Sequence, residues 1–254
     1  MTTWLLSIPL YVAAVVFLAG MGWRIFSWLR TPVPLKIVLT PASATASGVL
    51  RRLVEELLGF RALAGADVSL WIPAWLFHVS LFMLFLGHFG GLVIPQFAQA
   101  SLKLNESQFE HLARITGSAV GILAVATLLW LLVRRLVLER VHRISTFSDY
   151  FALILLLLII SSGNYMRFMR GLDIVQARRF VAGWLMLHPA APPADPIFFI
   201  HILLVCLLLV YIPLSKLVHL GGAALWSPTL NQRNNPRRHR HINPWDNTNE
   251  SSTA

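Results

Sequence analysis

Five stretches of this chain run for at least seventeen residues without a Lys, Arg, Asp or Glu: Trp4–Trp23, Val68–Leu102, Ile115–Val133, Tyr150–Met166 and Pro196–Ser215. Crossing the hydrocarbon core of a bilayer takes roughly 20 apolar residues in a helix, because each backbone N–H and C=O must be satisfied within the segment. The pattern predicts an all-α protein, an integral membrane bundle of five transmembrane helices. Composition agrees, since 56% of the 254 residues are hydrophobic and 13% charged, too little polarity for a soluble domain. Trp4–Trp23 has no Lys or Arg ahead of it and exceeds the apolar core of a signal peptide, so it reads as a retained first helix.

The formal charge of +10 could serve a nucleic acid, but the cations sit at the ends of apolar runs and in loops. No nucleic-acid partner is expected, and membrane orientation explains the charge better. Fifteen basic residues fall on one side, in the groups Arg24 to Arg61, Arg134 to Arg143 and Lys216 to Arg240; six fall on the other, Lys103, Arg114 and the four from Arg167 to Arg179. The N-terminus is therefore expected outside and the C-terminus in the cytoplasm. Residues 1–229 read as one five-helix domain, and residues 230–254 as a polar, basic cytoplasmic tail.

Two loops carry helical periodicity. Leu50, Leu53, Val54, Leu57 and Leu58 alternate with Arg51, Arg52, Glu55 and Glu56, after the irregular stretches Thr31–Leu35 and Thr40–Gly48. Such a helix suits either the headgroup layer or a docked partner. Between the fourth and fifth runs, Asp173–His188 opens on an Asp173/Gln176 pair resembling a capping box and offers an apolar stripe of Ile174, Val175, Phe180, Val181, Trp184 and Leu185.

Of nine histidines, His111, His142, His188, His239 and His241 lie in loops or the tail and read as solvated. His78 and His88 lie in the second run, His201 in the fifth and His219 at its end. Ionisable groups at membrane depth are expensive, so they face the bundle interior and have partners. Antiparallel packing of the second and fifth helices pairs His88 with His201 near the outer face and His78 with His219 near the cytoplasmic face. Each pair offers two neutral imidazoles to one iron, which suits haem. Zinc or copper is the rival, weakened by the lack of carboxylate or thiol neighbours. The eighteen residues from His201 to His219 make five whole helical turns and share a face, whereas the ten from His78 to His88 leave about 80° between side chains. The axial separations, about 27 Å and about 15 Å, disagree unless tilt and a kink at Pro213 absorb the difference. Gly87, Gly90 and Gly91 give room for a flat ring. Cys206, the single cysteine, excludes an internal disulfide, a cysteine-based cluster and covalent c-type haem attachment. Lys103, Asn164 and Arg167 are polar residues expected near the outer surface at the level of His88, and are candidates for a quinone site.

With five helices, an outside N-terminus and histidines at these spacings, the chain resembles the gamma subunit of respiratory nitrate reductase, a di-haem cytochrome b that oxidises quinol. The stretches TPVPLKIVLTPASATASGVLRR, STFSDYFALILLLLIISSGNYMR and SPTLNQRNNPRRHRHINPW are similar to the membrane cytochrome of the sulfite-reductase-associated (Dsr) complex. The resemblance implies two haem b groups, quinone as substrate and a bacterial or archaeal cytoplasmic membrane. It also implies a cytoplasmic iron–sulfur partner related to heterodisulfide reductase, with further membrane and periplasmic cytochrome c and iron–sulfur subunits. The expected function is electron transfer between the quinone pool and that partner, as the redox subunit of an oxidoreductase complex in sulfur metabolism. A nitrate reductase gamma subunit is the nearest alternative. A transporter or a non-redox anchor is the alternative of another class, and the absence of carboxylates from the run centres speaks against transport.

Overall fold

The computed structural model describes residues 2–31 and 45–219 of the chain. Among them every regular element is helical: α1 (Thr2–Arg30), α2 (Ala46–Gly59), α3 (Arg61–Ala66), α4 (Val68–His88), α5 (Pro95–Leu102), α6 (Glu106–Val137), α7 (Glu139–His142), α8 (Phe147–Tyr165), α9 (Ile174–Leu185) and α10 (Pro196–Tyr211). Five segments are long and apolar enough to cross a membrane, and they contain α1, α4, α6, α8 and α10. Each corresponds to one of the charge-free runs. The basic tail and residues 32–44, which hold most of the two stretches Thr31–Leu35 and Thr40–Gly48 expected to be irregular, lie outside the described residues.

Polar caps set where the spans begin. Asp67 accepts from the Leu70 N–H at the head of α4, and Asp195 from the Ile197 N–H at the head of α10. Asn105 with Gln108 and Thr146 with Asp149 close capping boxes on α6 and α8. Each cap satisfies donors that lipid could not. Asp67 also accepts from Ser69 and pairs with Arg134 and Arg140; the Ser69 bond, helped by Leu70 and the two guanidinium groups, holds its carboxyl below the usual range despite desolvation.

The spans pack in the order α4 on α6, α6 on α8, α8 on α10 and α10 on α1. One apolar cluster joins Phe77 of α4 with Ala124, Leu128, Leu156 and Ile160 of α6 and α8. Another joins Leu6, Leu10 and Ala13 of α1 with Ala177, Phe180, Phe198 and Cys206 of α9 and α10. Among the described residues α4 and α10, the helices that carry the intramembrane histidines, make hardly any close backbone approach to each other. The two helices are held in place chiefly through α6 and α8.

Two loop helices differ in detail from the sequence expectation. Helix already begins at Ala46 within the stretch read as irregular, because the Thr45 hydroxyl accepts from the Gly48 N–H. The α9 cap is an Asp173 bond to the Gln176 N–H, but the Gln176 side chain donates to the Pro192 carbonyl instead of closing a box. The buried face of α9 is Ala177 and Phe180 with Val181 and Trp184 beside them, while Val175 and Leu185 are exposed.

The fifth span also departs from the eighteen-residue helical repeat. Regular α-helix stops at Tyr211, and Ile212–Leu214 and Lys216–Val218 are 3-10 turns either side of an extended Ser215. Pro213 has no N–H to continue the ladder. Its carbonyl accepts from Arg24 Nε at 2.8 Å, and α1 comes close enough here that a Cβ at Gly20 would lie 2.7 Å from the Pro213 Cβ. Gly20→Ala is therefore expected to overpack this junction and cost about 1–3 kcal/mol. A lowered thermal midpoint in detergent checks this, with Gly22→Ala, whose Cβ would meet nothing within 4 Å, as the silent control.

Candidate functional site

His78 and His88 project from α4 ten residues apart, about 15 Å along the axis. Each ring is tied back to its own helix: His78 Nδ1 to the Ala74 carbonyl and His88 Nδ1 to the Leu84 carbonyl, both at 2.7 Å. A carbonyl can only accept, so Nδ1 carries the proton and Nε2 keeps a free lone pair. His219 follows the same rule through the Lys216 carbonyl at 3.0 Å. His201 uses another helix. The Ser162 hydroxyl of α8 donates to the Ile159 carbonyl at 2.8 Å, so its oxygen accepts from His201 Nδ1 at 2.9 Å. All four rings thus present Nε2 and none presents Nδ1.

The rings approach one another in pairs. The rings of His88 and His201 lie 6.5 Å apart, centre to centre, with planes 10° from parallel. Those of His78 and His219 lie 6.0 Å apart with planes at 82°. An imidazole–metal–imidazole axis with bonds of about 2 Å places ring centres roughly 6.3 Å apart, so both pairs stand at the spacing of one shared ion. The level of His219 is reached through the broken helix end. The ten helical residues from His201 to Tyr211 cover the same axial distance as His78 to His88, and the two 3-10 turns bring His219 to the ring of His78.

These residues fit haem. The donors are paired neutral imidazoles, the two helices stand apart, and among the described residues no group of three or more His, Cys, Asp or Glu could hold a tetrahedral metal. A Cβ at Gly163 would lie 3.6 Å from His201 Cε1, and at Gly87 or Gly91 it would meet nothing within 4 Å, so the backbone leaves room beside the rings. Arg24 and Lys216 line a cavity of about 520 Å³ together with Trp28, Ser148, Ser215 and His219, which sets cationic groups beside the ring of His219.

Of the three residues singled out for quinone, two share a wall. Arg167 donates to the Ala113 and Arg114 carbonyls of α6 and packs over Gly117, while Asn164 occupies the groove at Gly121. Lys103 caps α5 in the left-handed region, and among the described residues no hydrogen bond or ion pair joins it to the other two. Sequence reasoning missed Ser162, which resembles any small residue in an apolar run. It also missed the Gly117–Gly121 pair, whose four-residue spacing is a legible sign of close approach between membrane helices. Above His88 the helix loosens into a π-turn, Phe89–Val93, and Arg178 of α9 donates to its Gly91 carbonyl and pairs with Glu106 and Glu110, fastening α9 over that end.

The chain matches the nitrate reductase gamma subunit family over residues 63–231. It is 31% identical to an Hdr-like menaquinol oxidoreductase cytochrome b-like subunit of Archaeoglobus fulgidus over 93% of this chain and 81% of that protein. The corresponding Archaeoglobus profundus subunit is 29% identical with the same coverage. A nitrate reductase gamma chain of Bacillus subtilis is 31% identical over 59% of this chain and 71% of its own length.

Ser162→Ala removes the acceptor of the His201 proton and leaves that N–H unpaired. With a haem held between His88 and His201, loss of such an orienting partner is expected to weaken its retention 10–100-fold, with Ser162→Thr restoring it. Haem content per chain after dilution against a haem-scavenging apoprotein measures the difference.

Proposed function

Since the chain belongs to the nitrate reductase gamma subunit family and is a multi-pass membrane cytochrome b of electron transport, we propose that it carries two haem b groups, one held by His88 and His201 and one by His78 and His219. The observation that carries this reading is the pair of imidazole couples at 6.5 Å and 6.0 Å with every Nδ1 tied off. When bound, the haems supply one-electron transfer. The chain supplies everything else: α4 spaces the two sites about 15 Å apart along its own axis, the carbonyls and Ser162 fix each tautomer, and the apolar clusters pack around the spans.

In this proposal the N-terminus lies outside and the C-terminus in the cytoplasm, supported by the fifteen-to-six distribution of basic residues. The α9 end, with His88 and His201, is then the outer end, and the end with Asp67, Arg134, Asp149 and Lys216 the inner one. Quinol is oxidised or quinone reduced beside the outer pair, under α9, with Asn164 and Arg167 on the α6–α8 wall and Lys103 at the α5 cap as polar candidates. The Archaeoglobus relatives, menaquinol oxidoreductase subunits, support menaquinol as that substrate. Electrons pass at the inner end to or from a cytoplasmic iron–sulfur protein of heterodisulfide reductase type. Further membrane and periplasmic cytochrome c and iron–sulfur subunits complete a Dsr-type complex of sulfur metabolism. The Hdr-like menaquinol oxidoreductase relatives, which match 93% of the chain, support an Hdr-like assembly over a nitrate reductase gamma role, whose relative matches 59%.

Two haem b per chain are expected in a haemochrome assay of the purified protein. His88→Ala and His201→Ala should lose the same haem, and His78→Ala and His219→Ala the other. Four single variants that all keep both haems with unchanged spectra would overturn the assignment. Topology is checked by reporter fusions at Gln108 and Thr248, expected on opposite sides of the membrane. A quinol-site inhibitor should shift the spectrum of the outer haem; a shift confined to the inner haem would move the quinone site to the cytoplasmic end.

A further inference from the structure

Phe60 is the residue between α2 and α3, and its backbone lies at φ 50°, ψ 44°. A residue with a bulky side chain avoids this left-handed region, which glycine or asparagine usually fills at a helix C-cap. Among the described residues only Phe60, Lys103 and Leu187 adopt positive φ without being glycine, and the other two are exposed. Phe60 is half-buried, and its ring stands 5.1 Å from the ring of His78 at 89°. Phe77 stands on the same imidazole at 5.2 Å and 72°. The conformation is held from both sides. The Phe60 N–H donates to the Glu56 carbonyl and its C=O accepts from Ala64, while Trp71 and Trp75 of α4 donate their indole N–H to the Gly59 and Leu58 carbonyls.

These contacts select one orientation for one ring. The Ala74 bond fixes which nitrogen of His78 points inward but leaves the imidazole free to rock about that bond; the two phenyl rings close off the rocking. The plane so chosen lies at 82° to that of His219, whereas the outer pair, against which no phenyl ring stands among the described residues, lies at 10°. We infer that Phe60 is a positioning residue for the inner haem: it holds the His78 plane nearly perpendicular to its partner's, and through that angle sets the electronic structure of the iron. The inference rests on the assignment of His78 and His219 as a ligand pair. Perpendicular imidazoles interact equally with the two iron d orbitals that point between them and the haem plane, leaving those orbitals close in energy. A ferric low-spin centre of that kind shows a strongly anisotropic EPR signal with a large highest g value, and rotation toward parallel planes splits the orbitals and lowers it.

The test is EPR of the oxidised, haem-loaded protein in its membrane complex, comparing wild type with Phe60→Gly, Phe60→Leu and Phe60→Tyr. Glycine adopts φ 50° without strain, so Phe60→Gly keeps the backbone turn while removing the ring. Leucine keeps apolar bulk without a flat face, and tyrosine keeps the face. Both haems should remain bound in all three. The highest g value of the inner signal should fall in the glycine and leucine variants and return in the tyrosine variant, with the outer signal unmoved throughout. An inner signal at the wild-type position in both Phe60→Gly and Phe60→Leu overturns the role of Phe60. His78→Ala separates that failure from a deeper one: if it retains both haems, the ligand pair itself is wrong, whereas loss of one haem beside an unmoved Phe60→Gly signal refutes the positioning role alone.

Discussion

An imidazole at membrane depth has two nitrogens to satisfy, and at four positions this chain satisfies only one. Each Nδ1 has a partner within the bundle, and the four rings stand in two pairs whose centres lie 6.0 Å and 6.5 Å apart. Two neutral imidazoles at that separation match the span of one shared metal ion, which is what makes the pairs chemically intelligible. The remaining architecture follows from keeping those pairs at that separation. The chain of contacts from α4 through α6 and α8 to α10 and α1 lets the two histidine helices be fixed relative to each other without packing directly together.

The elements that hydrocarbon dictates were legible in the sequence. Charge-free runs become spans because an open, unpaired backbone is not tolerated there, whereas the caps Asp67, Asn105, Thr146 and Asp195 show only in the structure. The histidine partners were legible for a related reason, since two antiparallel helices leave few ways to match four rings by depth. The eighteen-residue spacing was misleading. It suggested a continuous helical face, yet Pro213 ends the helix, and His219 arrives by a turn whose path no periodicity encodes. Ser162 was illegible because its meaning depends on the rotation of α8 against α10. Phe60 was illegible for the opposite reason: sequence rules expect glycine or asparagine at a left-handed cap, and the deviation shows only in the backbone.

The two pairs are built differently. At the α9 end both rings come from regular helix, lie nearly parallel and are covered by a helix that Arg178 fastens to α6 and to the π-turn beyond His88. At the basic end one ring comes from α4 and the other from short 3-10 turns, braced by Arg24 on Pro213, by Lys216 on Asp149 and by the Ser148–Tyr211 hydroxyl pair. The fewer backbone bonds of the 3-10 turns make this the end where local opening costs least.

On the proposed assignment of the four histidines as haem ligands, their chain order has a consequence for how the protein comes to exist. A ribosome delivers His78 and His88 early, while the partners of both arrive only with the last span, and His219 only after that span has ended. Neither site can close around a cofactor during synthesis of the first four helices. Maturation must then be late and directional: the bundle inserts first, the pair completed within the final helix becomes available next, and the pair that waits for the turn beyond it comes last. A biogenesis intermediate holding a single cofactor, at the end away from the basic turns, is what this order of emergence would accumulate when haem is scarce.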